Sequence, residues 1–328
     1  MRLLIAISLV TFSTTVVAQD NSPRPDTKPA IDNGLAFLAK DALAWKAKYN
    51  CVSCHHGSLI AWALHEAKAR DYRVDEAVMN EMTKWVAESG NGKTSLPRPA
   101  RIPKALNTKA VHFAMGLNAV PNPDETVKKG LRLMLETIAG DQLENGSWAA
   151  WPETRPPFFG PSNDSVTALA TLAILPTAET DDAAARATRD KAVKWLTETQ
   201  TDDDPQAVAM RLLVWAKLKR PAEEIQPVIQ SITGRQNPDG GWSQAKQMPS
   251  DAWATGQALY ALANADLKRD DPIITRGQAF LLKTQLPDGS WPMTSRPIKP
   301  DGKGSMSLMP ITGGGSAWGV LGLVRSSK

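Results

Sequence analysis

The string Gln-x-x-x-Gly-x-Trp occurs three times in this chain, and nothing else in the sequence limits the fold so strongly. Its positions are Gln142, Gly146 and Trp148, then Gln236, Gly240 and Trp242, then Gln285, Gly289 and Trp291. A spaced triple repeated in this way marks one supersecondary unit used several times over. Ahead of the third copy stands Arg276-Gly277-Gln278-Ala279-Phe280-Leu281. The same phase returns at Asn33-Gly34-Leu35-Ala36-Phe37-Leu38 and at Lys129-Gly130-Leu131, and from Lys191 to Leu196 with Trp195 in place of Phe. The anchors of these segments fall at 37, 85, 133, 195, near 231 and at 280. The step is about fifty residues, a period of the length used by helix–loop–helix repeats. Six such units cover residues 31–328.

Each unit has a readable physics. Its first helix carries apolar residues three and four apart on a charged surface, which suits an outer helix burying one stripe. Its second helix is rich in Ala and Leu and poor in charge, as in the stretch from Asp251 to Tyr260, so it can be covered on most sides. Ser58, Asn107, Asp164, Asp251 and Ser316 stand at or near the expected starts of second helices. Short polar side chains there cap free amides, for about 1 kcal/mol each. The Trp after the turn is placed to pack over the next unit, and its ring N–H needs a partner. One hairpin cannot bury both faces of its inner helix, but six closed into a ring can, with no capping repeat. This use of Trp accounts for an unusual aromatic balance of 11 Trp against 6 Phe and 3 Tyr.

Charge excludes one class of function. Lys and Arg number 38 against 34 Asp and Glu, spread without a basic stripe, so no nucleic-acid surface is expected. At the N-terminus Arg2 precedes the apolar run Leu3 to Val10, and Val16-Val17-Ala18-Gln19 follows. That order predicts a cleaved secretory signal at 1–18, a linker over 19–30 and a periplasmic or otherwise exported mature chain. The apolar run is too short to span a membrane.

The string from Arg276 to Trp291 resembles the QW repeat of squalene-hopene and oxidosqualene cyclases, whose toroid the protein prenyltransferase subunits share. The resemblance covers nearly the whole mature chain. It implies an all-α fold, an α/α toroid (α6/α6 barrel) of six helical-hairpin repeats, with Gln142, Gln236, Gln285, Trp148, Trp242 and Trp291 tying adjacent repeats together. The activity carries over less well. The protonating Asp-x-Asp-Asp-Thr-Ala of squalene-hopene cyclases has its nearest counterpart in Asn163-Asp164-Ser165-Val166-Thr167-Ala168. Asn, Ser and Val stand at the acidic positions, and Asp164 at the variable one reads as a helix cap. The run Asp202-Asp203-Asp204-Pro205 lacks the pattern and reads as a charge cluster at a helix N-terminus. Full cyclases also have two toroid domains, where this chain has residues for one.

The two cysteines of the chain, Cys51 and Cys54, lie in Cys51-Val52-Ser53-Cys54-His55-His56. C-x-x-C-H is the haem c attachment pattern. Two thiols take the two vinyl groups of one haem, and the adjacent imidazole reaches iron. The segment from Cys51 through Val74-Asp75-Glu76 resembles C-x-x-C-H segments of exported, c-type-cytochrome-like bacterial proteins. Haem c on Cys51, Cys54 and His55 is the first reading. A Cys51–Cys54 disulfide or dithiol, and a zinc site using Cys51, Cys54 and His55 or His56, stand beside it. The segment occupies the loop of repeat one, and ring closure makes repeat six its neighbour. The loop of repeat six, 292–315, holds Met293, Met306 and Met309 and ends in Gly313-Gly314-Gly315, which reads as flexible. One of these Met residues or His112 is expected as the sixth iron ligand or pocket wall. Arg98, Arg101 and Lys104 in the repeat-two loop suit haem propionates. His65 is expected on a helix surface. Three functions follow: a haem-bearing toroid in electron transfer with a redox partner protein, a terpenoid-cyclase-like enzyme or isoprenoid-binding protein holding a hydrophobic small molecule in the ring, and a scaffold with structural cysteines.

Overall fold

In the computed structural model the chain is described over residues 24–49, 51–89, 105–150, 158, 162–178, 182–201, 203–296 and 308–328. Twelve α-helices follow one another among these residues. Six form the outer layer: α1 (Lys28–Tyr49), α3 (Glu76–Ser89), α5 (Glu125–Gly140), α7 (Ala183–Glu198), α9 (Ala222–Thr233) and α11 (Pro272–Thr284). Six form the inner layer: α2 (Leu59–Lys68), α4 (Thr108–Asn118), α6 (Asn163–Ala178), α8 (Pro205–Lys217), α10 (Ala252–Asn264) and α12 (Met309–Ser327). The layers differ as the sequence predicts. From Gln206 to Trp215 every residue of α8 is buried, while α7 buries only Ala192 and Leu196.

Polar caps set the starts of many helices. Asn107, Asp124, Asp182, Asp204, Asp251 and Asp271 each accept a backbone N–H of the first turn of the helix that follows. Three expected caps do something else. Ser58 donates to Cys54 O. Ser316 lies inside α12, where its Oγ accepts Trp291 N–H. Asp164 is buried in the first turn of α6 and takes the Arg211 guanidinium at 2.6 Å.

The Gln-Gly-Trp loops show how neighbouring repeats are joined. Gln142 Nε2 donates to Thr188 O, Gln236 Nε2 to Ile273 O and Gln285 Nε2 to Ala30 O. Each acceptor belongs to the outer helix of the next repeat, and the last bond closes repeat six onto repeat one. The Trp ring N–H stays within its own repeat: Trp148, Trp242 and Trp291 donate to Ile138 O, Ile232 O and Leu281 O. The rings still reach across. A Cβ on Gly277 would stand 2.9 Å from the Trp242 ring, and one on Gly34 would stand 3.1 Å from the Trp291 ring. The loop glycines have φ of +91°, +89° and +88°, a left-handed backbone that only Gly adopts cheaply. They also lie against the carbonyls of Lys191, Arg276 and Asn33 in the next outer helix.

Aromatic rings fill much of the centre of the toroid. Trp62 meets Trp318 edge to face at 5.2 Å and Tyr260 at 5.5 Å, and Trp253 meets Phe158 at 4.8 Å. Trp62, Tyr260, Glu66, Leu172 and Leu213, all on inner helices, line a cavity of about 140 Å³. Among the described residues no helix is long and apolar enough to cross a membrane.

Candidate functional site

The Cys-His segment sits between α1 and α2, where other repeats carry Gln-Gly-Trp. Cys54 to Ser58 form a single π-helical turn that leads into α2. Ser53 starts the turn, its Oγ accepting His56 N–H at 3.1 Å. Trp45 in α1 fixes the segment before it by donating its indole N–H to Cys51 O at 2.8 Å. Both thiols are free; Cys51 is exposed and Cys54 half-buried. Burial pushes the Cys54 thiol up to about 12, against the pull of the nearby Lys109 ammonium.

Two imidazoles follow the thiols in the same segment, and a third, His112, lies in α4. The His55 ring stands edge-on to Trp45 at 4.8 Å and to His56 at 4.5 Å, with Phe158 at 5.2 Å. Burial, then the charges His56 and His112 would carry, push His55 down to about 2, so it is neutral at any physiological pH. Its Nδ1 meets Ser53 Oγ at 3.1 Å and also meets His56 Nδ1. His56 is fully buried, with Trp45 stacked on it at 4.3 Å and 8°. Its Nε2 lies 2.7 Å from the Asp41 carboxylate, out of line for an ideal hydrogen bond. His112, in α4, is buried and gives its Nδ1 proton to Thr108 O at 2.7 Å; burial lowers its pKa as well.

Cys51, Cys54 and His55 thus lie in one segment, and His112 of α4 is near enough for the charge it would carry to act on His55. Met309 is the first residue of α12 and 42% exposed. Met306, Arg98, Arg101 and Lys104 lie outside the described residues. The glycine run is not a flexible loop end, because α12 starts at Met309 and holds Gly313, Gly314 and Gly315 buried inside it. His65 is not on the surface: it is buried and bonds Thr83 Oγ1 at 2.9 Å. Among the described residues no three His, Cys, Asp or Glu side chains are grouped to hold a metal ion. Sequence reasoning missed Asp41, Trp45, Lys109 and Phe158. Asp41 and Trp45 are four apart in α1, hence on one helical face, but neither stands in a motif.

The architecture defines the chain as an α/α toroid. It is similar to a polysaccharide lyase at 13% identity and TM-score 0.59, over 92% of this chain and 97% of that one. It is similar to the type II terpene cyclase MstE from Scytonema, solved with geranylgeranyl dihydroxybenzoate, at 14% identity and TM-score 0.54, over 91% and 99%. A family 88 glycosyl hydrolase from Bacteroides vulgatus matches at 13% identity and TM-score 0.56, over 90% and 99%. Such low identities establish a shared fold alone. One curated relative, drimenyl diphosphate synthase from Streptomyces showdoensis, is 36% identical over 76 residues, which are 23% of this chain and 14% of the synthase. No family model matches the chain.

Proposed function

We propose that this chain is an exported α/α toroid that carries a covalent c-type haem on Cys51 and Cys54 and serves electron transfer with a redox partner protein. One observation carries the reading: beside two free thiols, His55 is engaged through Nδ1. That leaves Nε2 as its nitrogen for iron. The donor set fits the group, since His112 is also held by Nδ1 and has its own Nε2 to offer. Of the expected sixth-ligand candidates, His112 is the one this reading favours; Met309 is exposed at the start of α12 and Met293 is buried against Gly315. When bound, the haem supplies one-electron chemistry. Thr108 O orients His112, and Trp45 and Phe158 give His55 apolar surroundings. The Cys54 thiol, pushed up by burial, is a poor nucleophile at neutral pH, so attachment belongs to the chain before it folds. The leader delivers that chain to the compartment where such attachment occurs.

A second reading, in which the ring binds or converts an isoprenoid, has the relatives in its favour. Drimenyl diphosphate synthase and MstE are named for terpenoid chemistry, and the aromatic cavity beside Trp62 and Tyr260 is the matching feature here. Protonation by the counterpart of the cyclase motif is disfavoured, because its one acid, Asp164, is buried against Arg211. A zinc site at the thiols is tested alongside.

The experiment is expression of the full precursor with a haem c maturation system. The haem reading predicts a coloured chain with a reduced-state absorption band that survives denaturation and is lost on replacing Cys51 and Cys54 with Ser. A colourless chain that retains an isoprenoid, or holds zinc through the same cysteines, overturns it.

A further inference from the structure

Between α8 and α10 lies a small chamber that neither the haem nor the isoprenoid reading uses. Its walls include Gln206 of α8, Trp253 and Gln257 of α10, and Gln244 and Arg296 from the loops after α9 and α11. The three glutamines and the arginine are between 1% and 4% exposed. The chamber holds about 20 Å³ and adjoins an outer cleft of about 580 Å³, with Pro205, Arg235 and Trp242 in the walls of both. Six buried polar atoms of the chamber have no hydrogen-bond partner in the protein: Arg296 Nε, Gln206 Nε2 and Oε1, Gln257 Nε2, Trp253 Nε1 and Gln244 Oε1. Burying such groups unpaired is costly, and their convergence on one chamber asks for a partner that enters it.

We propose that the chamber binds the carboxylate of a hydroxylated organic acid, with Arg296 as its counter-charge and the rest of the molecule in the outer cleft. Four of the six atoms donate. One water makes about three hydrogen bonds and accepts only two of them, so it leaves donors unmet. A carboxylate has about four lone-pair sites, enough for Arg296 Nε, Gln206 Nε2, Gln257 Nε2 and Trp253 Nε1. The two remaining atoms, Gln206 Oε1 and Gln244 Oε1, accept, and suit a hydroxyl next to the carboxylate. Charge points the same way. Arg296 gives Nη2 to Gln244 O at 3.2 Å and has no ion pair among the described residues. Asp204 and Asp251 act on it through their charge, but both are engaged elsewhere. Asp204 caps α8 at Ala207 N–H, and Asp251 takes Ala254 N–H and the Gln244 amide. Arg211, the other buried guanidinium among the described residues, has a carboxylate of its own in Asp164 at 2.6 Å. At the cleft, Arg235 and Lys246 share the single carboxylate of Asp203. That leaves the entrance with a positive excess that draws an acid in.

Calorimetric titration of the purified full chain with gluconate, acetate and sorbitol tests the site. Gluconate is expected to bind. Acetate is expected to bind more weakly, because it leaves the cleft empty, and sorbitol, which has hydroxyls and no carboxylate, not to bind. Arg296→Gln is expected to weaken gluconate by about tenfold or more, the loss of one charge-assisted hydrogen bond, with Arg296→Lys in between. Arg296 also holds Gln244 O, so a second variant separates binding from folding. Gln206→Met removes two unpaired polar atoms from the interior. It is expected to lower gluconate affinity several-fold while raising the unfolding temperature of the free chain, a pairing that a merely structural glutamine would not give. Gluconate that does not bind leaves a water as the sole occupant and overturns the site. So do sorbitol binding as well as gluconate, unchanged affinity in Arg296→Gln, and a Gln206→Met chain that unfolds at a lower temperature than the wild type. The haem reading stands or falls separately, on Cys51 and Cys54.

Discussion

His65 shows how burial turns a single side chain into a pH dependence. It is neutral in the fold, donating from Nε2 to Thr83 Oγ1, whose own proton goes to Met79 O. Burial lowers it to about 4 from an ordinary 6.5. Between those values the unfolded chain binds the proton and the folded chain does not. The stabilisation is therefore full above pH 6.5 and is lost as pH falls toward 4, up to about 3 kcal/mol. Urea titrations from pH 7 to 4 should show that loss in the wild type and a flatter profile in His65→Gln, which keeps a donor for Thr83. At this scale the sequence was partly legible. The C-x-x-C-H string singled out Cys51, Cys54 and His55 as one segment, and the structure places them together between α1 and α2. Asp41 was invisible because nothing local marks it; its place beside His56 depends on where α1 ends and how the π turn brings His56 back.

Among the elements, the loops after α5, α9 and α11 were the most legible, and for a physical reason. The same Gln, Gly and Trp make the same contacts each time, so the constraint is written in the string itself. Gly289 carries two of these constraints at once, φ of +88° and the carbonyl of Asn33 against its Cα. Gly289→Ala should cost about 2 kcal/mol or more, from strain at positive φ and the loss of the seam contact. Gly140, at the end of α5, has nothing within 4 Å of an added Cβ. Gly140→Ala should be neutral or stabilising by about half a kcal/mol. Chemical denaturation of the two variants checks both; equal effects would contradict the seam geometry. The start of α12 was misread because three successive glycines are ordinarily a loop signal. Packing overrides it here: side chains at 313, 314 and 315 would strike His56, Phe158 and Met293.

At the scale of the whole molecule, ring closure brings the ends together. Thr27 Oγ1 and Ser327 Oγ are 2.7 Å apart, and Gln285 of repeat six bonds Ala30 of repeat one. A chain with residues 24 and 328 joined by a short linker, and new ends opened at Pro121 and Asn122 between α4 and α5, should fold to the same far-ultraviolet spectrum and unfold in one transition. Closed rings with adjacent termini tolerate such permutation. Two separated unfolding transitions would mean that the seam between repeats six and one contributes no cooperativity. Six repeats were readable from periodicity, and their closure from the need to bury the inner helices together with the QW-repeat resemblance. The crowding of the centre by Trp62, Trp253, Trp318 and Tyr260 was not, because the sequence gives the number of inner helices but not which side chains meet on the axis.

The proposed function rests on whether a haem is bonded to the first repeat. Protease digestion and mass spectrometry of native chain recovered from the cell envelope reads this directly on the peptide that spans Cys51 and Cys54. A porphyrin mass joined through both thioethers is the result expected. A peptide with both sulfurs unmodified, or oxidised only to each other, contradicts the haem assignment.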